Sequence, residues 1–64
     1  MTAGFVGVDH LLTPTATAER LAVSTWTVAR LRRDGHLAAV RVGGSWRFDP
    51  ADVAAYITKN RSEG

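Results

Sequence analysis

Ser24 narrows what this chain can become more than any other residue. It has the chemistry of a helix N-cap, yet the helical pattern before it stops only at Ala22-Val23. That earlier helix has its own start signal in Leu11-Leu12-Thr13-Pro14. Thr13 is the N-cap, Pro14 takes the first helical position, and Leu12 is an apolar anchor ahead of the cap. Ala18, Leu21 and Ala22 form its inward stripe at i, i+3, i+4. After Ser24 the run Thr25 to Asp34 is helical, with Val28 and Leu31 on the buried side, and it ends at Gly35, where a left-handed cap is wanted. So short a connection does not let two helices lie antiparallel along their whole length. They must cross steeply, with Val23 filling the gap in the turn.

The second half of the chain reads as a hairpin and a third helix. Leu37 to Val42 is apolar and β-branched, and Gly43-Gly44-Ser45 interrupts it before Trp46-Arg47-Phe48. Placing Val40, Val42, Trp46 and Phe48 together on a core face requires a three-residue loop. Val42 then pairs with Trp46, Arg41 faces Arg47, and Val40 faces Phe48. Two like charges directly opposed make best sense with an anion above them. Asp49-Pro50 repeats the cap-then-proline signal, with Asp52 completing a capping-box-like arrangement and Val53, Tyr56 and Ile57 pointing inward. The order helix, helix, two-stranded wing, helix is a mainly α fold with a small β-hairpin, a winged helix-turn-helix. It occupies residues 11–58, between a flexible N-terminal tail (1–10) and a polar C-terminal tail (59–64).

Length and charge then exclude most functions. A 64-residue chain holds one small core. With no Cys and only His10 and His36, it offers neither disulfides nor a ready zinc or iron–sulfur site, and no cofactor is expected. No apolar run is long enough to span a membrane, and the N-terminus lacks a signal-peptide pattern, so a soluble, cytoplasmic protein is expected. The net charge is +2, but residues 20–47 hold six Arg (20, 30, 32, 33, 41, 47) against one acid, Asp34, a local +5. The flanks are acidic. A basic, all-arginine centre favours a polyanion over a lipid surface. No catalytic constellation is present: Asp49 and Asp52 are explained by capping, Ser24 and Ser45 have no positioned base, and His36 is a turn residue.

In a helix-turn-helix the outward residues of the second helix meet DNA base edges. Here these are Thr25, Trp26, Thr27, Arg30 and Arg33, with the amides around the Ser24 cap offering a phosphate site. Arg30 has the donors for either a guanine or a phosphate. Trp26 is read as partly buried against the wing or the first helix, with contact to DNA or a neighbouring protein copy as the alternatives. Trp46, in phase with Phe48, is read as core. On the wing, Gly43, Gly44 and Ser45 permit close backbone approach, and Arg41 and Arg47 flank them for phosphate or minor-groove contact.

These residues carry a family resemblance. Leu12-Thr13-Pro14, Ala18, Leu21-Ala22-Val23-Ser24, Thr27-Val28, Arg30-Leu31, Gly35, Leu37, Val40-Arg41-Val42-Gly43, Trp46-Arg47-Phe48 and Asp52 together resemble the excisionase-type branch of the MerR-like winged-helix superfamily over about residues 11–58. The chain departs from that pattern at several positions, among them Ala22 in place of a usual glycine, Trp26 where a small or polar residue is usual, and Asp34 where a base is common. The resemblance implies sequence-specific binding to double-stranded DNA, with the second helix in the major groove and the wing in a minor groove. Full MerR-type regulators add a long dimerising helix and a sensing region, for which this chain is too short. The favoured reading is an excisionase, or recombination directionality factor: several copies bind repeated sites, bend the DNA and steer an integrase toward excision. The alternatives are a transcription regulator at promoter repeats and a protein-interaction adaptor or antitoxin.

Overall fold

In a computed structural model, residues 10–61 are described. They form α1 (Pro14–Leu21), α2 (Thr25–Arg33), β1 (Val40–Val42), β2 (Ser45–Arg47) and α3 (Pro50–Lys59). The two strands make an antiparallel hairpin. Of the expected N-terminal tail only His10 is among the described residues. At the other end α3 runs through Lys59 and is capped by Asn60. No described helix is long and apolar enough to cross a membrane.

Each helix begins where its cap chemistry places it. The Thr13, Ser24 and Asp49 side chains accept from the backbone N–H of Ala16 (3.0 Å), Thr27 (3.1 Å) and Ala51 (2.8 Å). The expected reciprocal bond from Asp52 is not formed. Asp49 reaches the second helical amide rather than the third, so it caps α3 alone.

The first two helices end in the same way. Ala22 adopts φ 58°, ψ 43°; its N–H donates to the Glu19 carbonyl at 3.2 Å, and Val23 N–H to the Ala18 carbonyl at 3.0 Å. Gly35, at φ 81°, repeats this: its N–H donates to Arg32 and that of His36 to Leu31, at 3.1 and 2.8 Å. Both are Schellman motifs. In the first, alanine occupies a left-handed position that glycine takes without strain.

The core is Ala18, Val28, Leu37, Phe48 and Val53, with Leu12, Leu21, Leu31, Ala39, Trp46 and Tyr56 packed around it. Thr17 is also fully buried, its hydroxyl donating to the Thr13 carbonyl at 2.8 Å. Phe48 is held from both sides. Beyond the wing, its backbone exchanges two hydrogen bonds with Leu12, at 2.7 and 2.9 Å. This bridge fastens the segment before α1 to the segment before α3.

Five expectations are corrected. The stripe on α1 does not include Ala22, which is exposed because it is the left-handed cap. Val23 does not fill the inter-helix gap, and Ile57 does not point inward; both are exposed and border one groove with Leu21, Leu31 and Tyr56. Leu37 is core but precedes β1, which starts only at Val40.

The fifth correction is the hairpin register. Val40 pairs with Arg47, Arg41 with Trp46, and Val42 with Ser45, so the loop is the two residues Gly43-Gly44. Both have positive φ, 55° and 86°, as a type I′ turn requires. The expectation of four apolar residues on one face fails because only one side of this short sheet is covered. Trp46 packs inward with Ala39 and Phe48, while Val40 is left 46% exposed.

Candidate nucleic-acid interface

The outward side of α2 arises from helical geometry. Trp26, Ala29, Arg30 and Arg33 stand at i, i+3, i+4 and i+7 and are all exposed, while Val28 is fully buried. Thr25 is exposed at the helix start, and Thr27 is half-buried, its hydroxyl 3.1 Å from that of Ser24. The Ser24 and Thr27 side chains are thus occupied with each other. The amides of Thr25 and Trp26, in the first turn, have no protein acceptor among the described residues.

Trp26 does not lie partly buried against the wing or α1; it is 64% exposed. What touches its ring is Arg30, whose guanidinium carbon is 5.4 Å from the ring centroid. Arg30 Nε also lies 3.8 Å from Asp34 Oδ2, and Arg33 Nε 4.0 Å from Asp34 Oδ1. The three side chains Trp26, Arg30 and Asp34 therefore form a ladder along the outer face at successive i+4 steps. Asp34 stands among cations at the helix C-terminus, where the macrodipole disfavours an acid. The two arginines offset this.

The wing stands beside the last turn of α2. Because residues opposite one another share a face, Arg41 lies with Trp46, and Arg47 lies with Val40 on the other side. Arg41 and Arg47 therefore do not flank the wing from one face, and the expected opposed pair of charges does not exist. Arg47 is half-buried, its Nη1 donating to the Trp46 carbonyl at 2.9 Å. Trp46 is core on one side only. The guanidinium of Arg32, from α2, lies 4.1 Å from its ring centroid, and that of Arg41 lies 4.7 Å away. Such stacks attract through the ring quadrupole. Gly43, Gly44 and Ser45 form the exposed tip, with open space around both glycine Cα atoms.

Sequence reasoning passes over Ala29 and Arg32. Ala29 is legible, since it stands about one turn from both Trp26 and Arg33 at the edge of the same exposed face; its small side chain lets a partner approach the backbone. Arg32 is not. It comes one turn after the buried Val28, and nothing local to α2 announces that Trp46 lies beneath it.

The described residues contain no group of three or more His, Asp or Glu placed to hold a metal. His36, Tyr56 and Lys59 line an open cleft between the end of α2 and α3. At the start of α3, His10 Nε2 lies 3.7 Å from Asp49 Oδ2.

No curated protein and no solved structure gives a significant match. A family model does: that of the helix-turn-helix domain matches residues 11–61, which span every helix and strand described above. With two capped helices joined by a tight turn and an arginine-rich outer surface, the chain belongs to the helix-turn-helix domain family and is a small DNA-binding protein.

Proposed function

We propose that residues 11–58 bind double-stranded DNA with α2 in the major groove and the wing in an adjacent minor groove, and that the protein acts as an excisionase. The observation that carries the groove assignment is the junction at Trp46. Through Arg32 it joins the wing to the last turn of α2, which supports reading the exposed face of α2 and the glycine tip as parts of one basic surface. On it, Arg30 and Arg33 reach base edges or phosphates, Thr25 and Ala29 meet thymine methyls, and Trp26 lies along the sugars. Ser24 and Thr27 act through the helix start they shape, whose free amides face a phosphate. Arg41 and Arg47 contact phosphates from the two faces of the wing, around Gly43, Gly44 and Ser45.

The excisionase role is supported by the likeness of residues 11–58 to excisionase-type proteins. It is also supported by the small size of the surface. A single module of this kind covers roughly 600–1,000 Å² of protein surface and binds weakly alone. Neighbouring copies on repeated sites raise affinity and propagate a bend, and the bent array guides an integrase. The test is to incubate the purified protein with sheared DNA from its source genome and sequence what it retains. The expected result is one cluster of repeats beside an integrase gene. Retention at scattered promoters would make it a transcription regulator, and no enrichment at any salt would overturn the DNA assignment in favour of a protein partner.

A further inference from the structure

We infer that Arg32 and Arg41, stacked on Trp46, form a two-arginine clamp for a single phosphate of the DNA backbone, at the junction of α2 and the wing. The inference deepens the DNA-binding reading and rests on it. The six arginines of residues 20–47 differ in their partners. Arg30 and Arg33 are drawn to Asp34, and Arg47 donates to a backbone carbonyl. Arg32 and Arg41 have the Trp46 ring, and among the described residues neither has a carboxylate or any hydrogen-bond acceptor. Contact with the ring satisfies none of the five N–H donors on each guanidinium, and among the described residues these donors have no protein acceptor.

The spacing suits one anion. The two guanidinium carbons lie 4.1 and 4.7 Å from the same ring centroid, so they are no farther apart than the sum of the two, about 8.8 Å. A phosphate accepting N–H···O bonds of about 2.8 Å from both would hold the carbons roughly 8 Å apart, close to that upper limit, so at most a small closing of the two side chains brings them onto one anion. Two like charges this close, with no acid between them, repel. A phosphodiester placed at the ring edge removes that repulsion and takes up the idle donors. Arg32 comes from the helix and Arg41 from the wing, so one phosphate held by both would also fix the angle between the two DNA-contacting elements. Trp46 is the positioning residue: its inner side is anchored in the core and its ring sets both cations.

The test has two arms on the full chain. In the first, inorganic phosphate is titrated at low salt while the arginine Nε–Hε signals are followed by NMR, with Arg32→Lys and Arg41→Lys used for assignment. The Arg32 and Arg41 signals should move together along one binding curve, with Arg20 and Arg61 unmoved. Equal shifts of all arginines, or no shift, would overturn the clamp even if the protein binds DNA well. In the second, the salt dependence of binding to a labelled mixed-sequence duplex is compared for wild type, Arg32→Ala, Arg41→Ala and the double variant. One shared phosphate predicts that the double variant lowers the slope by about 1 in all, and that each single variant lowers it by no more than that. A loss near 2 means two separate phosphates, and an unchanged slope means none; either overturns the clamp. Trp46→Phe keeps a ring and should retain most of the phosphate response, whereas Trp46→Leu should abolish it in a protein shown by circular dichroism to be folded. If the wild type binds no DNA, the DNA-binding reading fails, and the phosphate titration still judges the clamp by itself.

Discussion

Replacing Ala22 with glycine should stabilise this protein, although glycine ordinarily weakens a helical segment. Ala22 sits at φ 58°, ψ 43°, the only non-glycine residue with positive φ among the described residues. An L-residue there is less stable than glycine by about 1–2 kcal/mol, because Cβ crowds the following carbonyl oxygen. The methyl group is exposed, so its removal leaves no cavity. Against the gain stands the greater freedom of glycine in the unfolded chain, about 0.4–1 kcal/mol. The net expectation is a stabilisation of about 0.5–1 kcal/mol. For a domain of this size that raises Tm by about 3–6 °C. Thermal unfolding monitored by far-ultraviolet circular dichroism reads this directly. The control is Ala29→Gly, the same chemical change at an exposed position inside α2, where it should cost about 1 kcal/mol. Opposite signs for the two variants are the signature of the left-handed cap. If Ala22→Gly lowers Tm as Ala29→Gly does, the strain argument is wrong.

The same geometry sets four further outcomes. Arg30→Ala should weaken binding to the retained genomic site by about 1–3 kcal/mol in a fluorescence titration; an equal loss on all sequences makes Arg30 a phosphate contact rather than a base reader. Asp34→Asn releases Arg30 and Arg33, so binding to mixed-sequence DNA should tighten and its salt slope steepen. Its stability should stay within about 0.5 kcal/mol, because exposed ion pairs contribute little and an acid leaves the helix C-terminus; unchanged DNA binding would show that Asp34 restrains neither arginine. Phe48→Ala empties the centre of the core at a cost of about 3–5 kcal/mol, enough to leave a chain this small largely unfolded at 25 °C by circular dichroism. Gly43→Val places a β-branched side chain at φ 55° in the turn, so the wing's cross-strand NMR contacts should vanish while the α1 and α2 signals persist; an intact hairpin would refute the type I′ assignment.

The sequence by itself determined the helices and their ends. Thr13, Ser24 and Asp49 cap as their side chains dictate, Pro14 and Pro50 stand at first helical positions, and Gly35 closes α2. Those features are settled within four or five residues, by bonds between a side chain and its own backbone neighbours. The outer face of α2 is legible for the same reason, since helical periodicity is local. The two-residue turn is also written in Gly43-Gly44. Val40 and Val42 point away from it, because they suggest a core face, whereas the fold leaves Val40 exposed and Val42 only half-buried. Only the tertiary structure decided what lies opposite what: the pairing of Arg41 with Trp46, the bridge from Leu12 to Phe48, and the exposure of Val23, Trp26, Val40 and Ile57. A core this small covers one side of each element and leaves the remaining apolar residues outside. For that reason Arg32, which reads inward on its own helix, comes to lie on a ring contributed by the wing. Caps and periodicity are properties of the chain near a residue, whereas register, burial and stacking depend on neighbours that only the folded chain brings there.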